Sequence, residues 1–446
     1  MADILLTHSN HLYSDRKQVR KMQPYPPLQT LMVAALLRER GHSVALCDVT
    51  LAASADDAFE AALAEHRPRV VGVVEDNFNF LTKMCLMSNR ELAFRMCAAA
   101  RRAGAATFVN GADATDRAAE YLSAGFDFVI AGEPEGALDN VFTAVSRSDS
   151  GRVLRTARVA IDSLPDTAWD LIDIDEYRRA WQPVHGYFSI NLVSSRGCPY
   201  RCNWCAKPVF GAAYSFRSPG RLALEMARVK NELGAEHVWF ADDIFALSPQ
   251  WTRAFADAVE QAGARLPFKM QSRCDLMTRD TVAALKRAGC AEVWMGAESG
   301  SQKILDAMDK GTRVAQIYEA RENLRRHGIR ACYFLQFGYP GETWEDIQKT
   351  IRMVRETGPD DVGISVSYPL PGTRFHARVA EEMGEKANWR DSDDVSMMFR
   401  GAYPTEFYRE LADAVHAEVR GGHPRWDRVY SLEKASAKAM PVWTCC

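Results

Sequence analysis

Short apolar runs alternate with stretches of helical period in two successive blocks of this chain. Such an alternation buries itself as parallel strands with helices packed on their faces. In residues 1–145 the runs Ile4 to Thr7, Val44 to Asp48, Val70 to Val74, Thr107 to Asn110 and Phe128 to Ala131 read as strands. Between them LQTLMVAALLRERGH and ELAFRMCAAARRAGA read as amphipathic helices, closed by Gly41 and Gly104. The expected domain is a Rossmann-like, doubly wound sheet, and ligands of such sheets bind at the carboxyl ends of the strands. Those ends carry Thr7 to Asn10, Asp48, Glu75 to Asn79, Gly111 to Asp113 and Gly132 to Glu135.

The second block, residues 188–375, contains SINLVSS, HVWFAD, FKMQSR, EVWMGAES, CYFLQFGY and GISVSYPL as strands, with TRDTVAALKRAG and QIYEARENLRRHG among the intervening helices. Strand and helix repeats of this kind predict a partial (β/α)6 barrel of the TIM type, reactive at the strand C-termini. Residues 146–187 are expected to be a linker. From Ser163 to Gly186 they hold two prolines, several acids and no sustained period, which predicts a segment draped over the surface. Residues 376–446 are expected to form a small helical region with a Cys-Cys tail, EFYRELADAVHAEVRGG being its clearest helix. At 446 residues the chain suits two α/β domains and an appendage rather than one core.

Charge argues against a nucleic-acid partner, because the net charge is -3 and Lys and Arg are spread along the chain rather than gathered in a basic stripe. The start, MADILLTHSNHLYSDRK, has too short an apolar run for a signal peptide, and no stretch approaches the roughly 20 apolar residues of a spanning helix. A cytoplasmic protein with no membrane span is expected. The cysteine count of 11 is odd, which points to thiols, metal or catalysis rather than a disulfide framework. Cys47, Cys85, Cys97, Cys290 and Cys332 stand alone in apolar segments and read as small hydrophobes.

Cys198, Cys202 and Cys205 are different. In SSRGCPYRCNWCAKP they follow a predicted strand in a loop, since Gly197 and Pro199 forbid a regular helix through the first of them. Three close thiolates suit zinc or an iron-sulfur cluster, but structural sites of both kinds usually take four protein ligands. A missing fourth ligand implies an open coordination position.

The C-x3-C-x2-C spacing, with Trp204 before the last cysteine and the loop after the first barrel strand, resembles the radical S-adenosylmethionine (SAM) superfamily. The resemblance implies a [4Fe-4S] cluster on Cys198, Cys202 and Cys205. Its open iron would chelate SAM, and one-electron reduction would split SAM to methionine and a 5'-deoxyadenosyl radical. It also implies cofactor contacts: Trp204, Asp242 and Asp243 of FADDIF, Arg273 of QSRCD, Glu298 and Ser299 of MGAESGSQ, and Gly338 of FGYPGET. Asp242 and Asp243 have an alternative reading as helix caps. Trp204, Phe210, Tyr214, Tyr333 and Tyr368 are candidate walls of a substrate cavity, or plain packing.

A doubly wound domain ahead of such a barrel is similar to the cobalamin-binding subgroup, which holds class B methyltransferases and the anaerobic ring cyclases. The segments PYPPLQTLMVAALLRERGHSVALCD, EDNFNF and AGEPEG carry that likeness. The D-x-H-x-x-G motif of other cobalamin proteins is absent, His42 lying before a strand in the wrong context. The likeness implies a transferase that methylates an unactivated carbon of a small molecule, fed by a low-potential donor such as flavodoxin or ferredoxin. A cyclase-type oxidation is one alternative. Another places a thiol-bound metalloid such as As(III) on Cys445 and Cys446 for 3-amino-3-carboxypropyl transfer without cobalamin, because adjacent thiols are soft ligands.

Overall fold

The computed structural model describes residues 2–147, 150–155, 157–384 and 388–439; Cys445 and Cys446 lie outside them. The first sheet comprises β1 (Ile4–Thr7), β2 (Val44–Cys47), β3 (Val70–Val74), β4 (Ala106–Asn110), β5 (Phe128–Ile130) and β6 (Arg152–Leu154). Its order is β2-β1-β3-β4-β5-β6, parallel throughout. Alternate side chains go to two apolar clusters, Ile4 and Leu6 to one and Leu5 to the other, as expected of a sheet covered on both faces. The central strand β3 is buried along its length, and Gly72 leaves the space that the Phe108 ring fills. Strand β6 escaped the sequence reading because it is short and exposed at an edge.

The barrel sheet comprises β7 (Ser189–Leu192), β10 (His237–Phe240), β11 (Phe268–Ser272), β12 (Cys290–Glu298), β13 (Arg330–Phe337) and β14 (Asp361–Val366). All are parallel in the order β14-β13-β12-β11-β10-β7, so β7 and β14 remain edges and the barrel stays open. A small antiparallel hairpin, β8 (Ser195–Arg196) with β9 (Ser215–Phe216), springs from the end of β7. Cys47, Cys85, Cys97, Cys290 and Cys332 are buried, as is Cys274.

The segment expected to drape over the surface does not. Residues Ile174–His185 form a helix, capped by Asp173, which accepts from the amides of Asp175 and Glu176. Tyr177 and Trp181, one turn apart, are buried on its inner face. The Tyr177 hydroxyl donates to Asp48 at 2.6 Å, and Trp181 Nε1 donates to the carbonyl of Pro24 at 2.6 Å. Two aromatic anchors among charged neighbours make too sparse a pattern for periodicity to reveal, yet they bury more than most aliphatic stripes. One apolar cluster runs unbroken from the helix Leu28–Glu39, through Trp181, into the barrel.

The C-terminal residues also reach back. Beyond the helix Arg374–Met383, the backbone carbonyls of Trp389 and Arg390 accept from Met87 and Ser88, and Ser392 meets Asp15 and Gln18. Trp389 stacks on Tyr368 at 4.1 Å. Helices Thr405–Val419 and Trp426–Ala439 follow. No helix of the described residues is long and apolar enough to cross a membrane.

Candidate active site

The three cysteines lie in the loop that the β8–β9 hairpin encloses. Gly197 enters it at φ +77°, and a side chain there would collide with the Ala213 carbonyl and crowd those of Phe210 and Gly211, so the turn admits only glycine. Lys207 Nζ donates to the carbonyl of Cys198 at 2.6 Å and to that of Tyr200. Asn203 pins the middle of the loop. Its side chain donates to the Ala307 carbonyl at 2.7 Å and to Asp309 at 2.9 Å, and accepts from the Tyr339 hydroxyl at 2.8 Å. Its backbone bonds Met308 and Phe375. Cys198 and Cys202 are half-buried and Cys205 is exposed.

Basic groups surround the thiols. Arg273 brings Nη1 to 4.0 Å from Cys202 Sγ, lies 3.7 Å over the Tyr200 ring and pairs with Asp275 at 2.9 Å. Lys310 lies 5.2 Å from the Trp204 ring centroid and pairs with Glu298 at 2.7 Å, both nearly buried. Glu298 adopts φ +59° at a break in the β12–β13 register, a strained conformation for a residue with a side chain. Gly296 lacks the Cβ that would meet this pair.

The strand ends of the first sheet form the facing wall. Arg196, two residues before Cys198 and 1% exposed, donates to Glu135 at 2.6 Å and Glu133 at 3.2 Å. Its guanidinium lies 5.5 and 5.3 Å from the ring centroids of Phe78 and Phe210, which stack on each other at 5.1 Å. His8 meets Asp48 at 3.0 Å, and Glu75 accepts from the Ser9 amide and hydroxyl. A cleft of about 270 Å³ separates Asn77, Lys83 and Ala112 from Ala206 to Phe210 and Asp243 of the barrel. A second, of about 410 Å³, runs among Asn10, His11, Gln23, Tyr25, Asn79 and Asn89.

A radical SAM superfamily model matches residues 192–354, the span that holds the cysteine loop and most of the barrel, and a B12 binding domain model matches residues 22–142. The chain therefore carries a radical SAM domain and, ahead of it, a B12 binding domain. An uncharacterized methyltransferase of Pyrococcus horikoshii is 27% identical over 56% of this chain, a match that spans only 57% of that relative's length. The hopanoid C-3 methylase of Methylococcus capsulatus is 26% identical, over 86% of this chain and 75% of its own. In fold the chain resembles the radical SAM methyltransferase TsrM of Kitasatospora setae, solved with cobalamin and a [4Fe-4S] cluster (TM-score 0.70, 19% identity, 87% of this chain and 79% of that one).

The donor set of this radical SAM protein fits its cofactors. Among the described residues no three His, Cys, Asp or Glu side chains converge tightly enough to share one metal ion. Three separate thiols beside Lys207, Arg273 and Lys310 suit an anionic cluster whose irons each take their own thiolate. Across the cleft, Glu75 Oε2, Asn77 Oδ1, Thr82 Oγ1, Asn89 Nδ2 and Glu135 Oε2 are buried without a hydrogen-bond partner among the described residues. Such atoms call for a polar ligand, and the amide-bearing rim of a corrinoid supplies donors and acceptors of that kind.

Several residues expected at the cofactor face make contacts within the protein. Asp242 is fully buried and accepts from the Ser194 amide and the hydroxyls of Ser194 and Ser195, so it locks the end of β10 to the root of the cysteine hairpin; burial pushes its carboxyl up to about 6. Asp243 pairs with Lys83 across the smaller cleft at 2.5 Å. Ser299 is buried and bonds Thr350 and the Ser301 amide. Gly338 lies under Met397 and Tyr408. Of the expected walls, Phe210 lines the smaller cleft, Tyr214 is half-buried beside the hairpin and Tyr368 stacks on Trp389. Tyr333 is wholly buried and alternates with the half-buried Phe334. Sequence reading passed over Arg196, Asn203, Lys207 and Lys310, of which only Arg196, Asn203 and Lys207 flank the cysteines in sequence.

Proposed function

We propose that this chain is a cobalamin-dependent radical SAM methyltransferase that methylates an unactivated carbon of a small molecule. The observation that carries this is the shared cleft, with the cysteine loop on one wall and the strand ends of the B12 binding domain on the other. When bound, the cluster supplies the reductive cleavage of SAM and the corrinoid a transferable methyl group. The chain's own residues do the holding. Asn203 and Lys207 set the loop's shape, Arg273 and Lys310 offset negative charge beside it, and Arg196 with Glu133 and Glu135 fixes the loop's root to the facing wall. Arg273 is poised to meet the SAM carboxylate, for which a guanidinium's paired donors are suited. A low-potential electron donor and a cytoplasmic setting complete the reading.

Anaerobic reconstitution with iron, sulfide and hydroxocobalamin, followed by reduction in the presence of SAM, tests it. Tightly held corrinoid with both 5'-deoxyadenosine and S-adenosylhomocysteine is the expected result. SAM cleavage without corrinoid or S-adenosylhomocysteine would defeat methyl transfer and turn attention to oxidation of the cyclase type.

A further inference from the structure

Side chains along the barrel strands alternate between the helices and the concave interior. On β11, Phe268 turns outward, meeting Phe240 and Phe255 with ring centroids 5.1 and 6.4 Å away, so its neighbour Lys269 turns inward. By the same alternation Trp239 of β10, Trp294 of β12 and Phe334 of β13 line the concave side. Trp294 and Phe334 tilt together at 5.0 Å, and Gly363 of β14 leaves them room, since a Cβ there would meet both rings at 3.2 to 3.4 Å.

Lys269 is a cation of this aromatic surface, and no described residue forms an ion pair with it. Its Nζ lies 5.5 Å from the Tyr25 ring centroid and 5.8 Å from that of Trp239, with Gln23 Oε1 at 3.4 Å. No carboxylate among the described residues comes within ion-pair distance of it. The acid that affects it most, Glu292, is already engaged, accepting from Trp294 Nε1 at 2.7 Å and pairing with Arg330 at 3.0 Å. Lys21 adds a second ammonium. It reaches solvent, but desolvation by the surrounding protein, then the like charges of Lys17, Lys269 and Arg420, push it down to about 8. Lys269, Trp294 and Phe334 are themselves half-exposed, and Gln23 and Tyr25 beside Lys269 also line the larger cleft. An ammonium withdrawn from water without a counter-ion is costly, and a ligand's anion would remove that cost.

We propose that the concave face of the barrel binds the substrate through an anionic group, a carboxylate or a phosphate, anchored by Lys269, with an apolar or aromatic body laid on Trp294 and Phe334. The assignment of this ligand as substrate rests on the methyl-transfer reading above; the binding chemistry does not.

The test is equilibrium dialysis of the full chain against 1-naphthoate, 1-naphthyl phosphate and the neutral 1-naphthamide, with tryptophan fluorescence in parallel. One of the anions is expected to bind about tenfold or more tightly than the amide, the worth of one charge-assisted hydrogen bond. Lys269→Met should bring anion and amide within about twofold of each other, and Lys269→Arg should keep most of the preference. Lys21→Ala, on an accessible side chain, is expected to reduce the preference about threefold, a result that stands if Lys269→Met fails to fold. Equal binding of the three probes, no binding up to about 10 mM, or an undiminished preference in folded Lys269→Met overturns the proposal. SAM cleavage by the reconstituted protein is read separately. Cleavage without an anion preference removes the Lys269 anchor alone, and an anion preference without cleavage removes the methyl-transfer reading alone.

Discussion

Both sheets are six-stranded and wholly parallel, yet helices cover the first on both faces and the second on one, leaving the concave side of the barrel half-exposed. The first sheet therefore has only its strand ends free for chemistry, and it commits several of them to the barrel: Glu133 and Glu135 hold Arg196, and Phe78 stacks on Phe210. The barrel keeps its loop cysteines and the Trp294–Phe334 part of its inner wall uncommitted. The contrast separates residues that fix one domain on the other from residues left to meet a ligand.

The largest effect comes from the uncommitted side. Replacing Cys198, Cys202 or Cys205 with alanine should abolish bound iron and SAM cleavage while leaving the melting transition of the cofactor-free chain little changed, since none of the three is buried in the core. Iron and sulfide content after reconstitution measures it. A variant that retained the full iron content would break the comparison at its centre.

Next comes the committed side. Arg196→Met leaves buried Glu135 with only the Gln29 amide and Glu133 with only the more distant Arg158, and should destabilise the chain by about 3–5 kcal/mol in urea unfolding. Combining it with Glu135→Gln should recover part of that loss, because the two side chains touch. Additive losses would mean that the clasp is incidental. A smaller effect is expected at the connector, where Trp181→Phe keeps most of the apolar body but drops the bond to the Pro24 carbonyl, at a cost of about 1–2 kcal/mol.

These residues also mark what could be read from the sequence. The strands of both sheets were legible because buried parallel strands are continuous apolar runs, as in Val70–Val74. The cysteine loop was legible because its three cysteines lie within eight residues of one another in the chain. The helix Ile174–His185 was hidden because two aromatics carry its burial. Lys310 and Lys269 were hidden for another reason: a single lysine has no local pattern, and only the fold places one against Glu298 and Trp204 and the other between Tyr25 and Trp239. Asp242 was found by position, but sequence does not show that Ser194 and Ser195 turn toward it.

The smallest effect concerns Glu342, which is buried where the C-terminal region covers the barrel, beside Gly338. Its Oε2 accepts from the Gly338 amide at 2.6 Å, while Oε1 and the nearby Tyr408 hydroxyl lack partners. Burial, with the negative charge of Asp346 opposing ionisation further, raises its carboxyl from the ordinary 4.5 to about 8. Between those values the folded chain holds a proton that the unfolded chain has released, so this group's contribution to stability falls as pH rises through the window. Asp76 and Asp242, each raised to about 6 by burial, add the same sign over a lower range, so the wild-type slope alone does not isolate Glu342. The difference between wild type and Glu342→Gln does. The variant should match wild type near pH 4, where the side chain is neutral in both the folded and the unfolded chain, and exceed it in melting temperature increasingly up to about pH 8. A difference that stayed constant with pH would show that Glu342 ionises in the folded chain at the ordinary value, and that water reaches the Gly338 turn beneath Met397 and Tyr408.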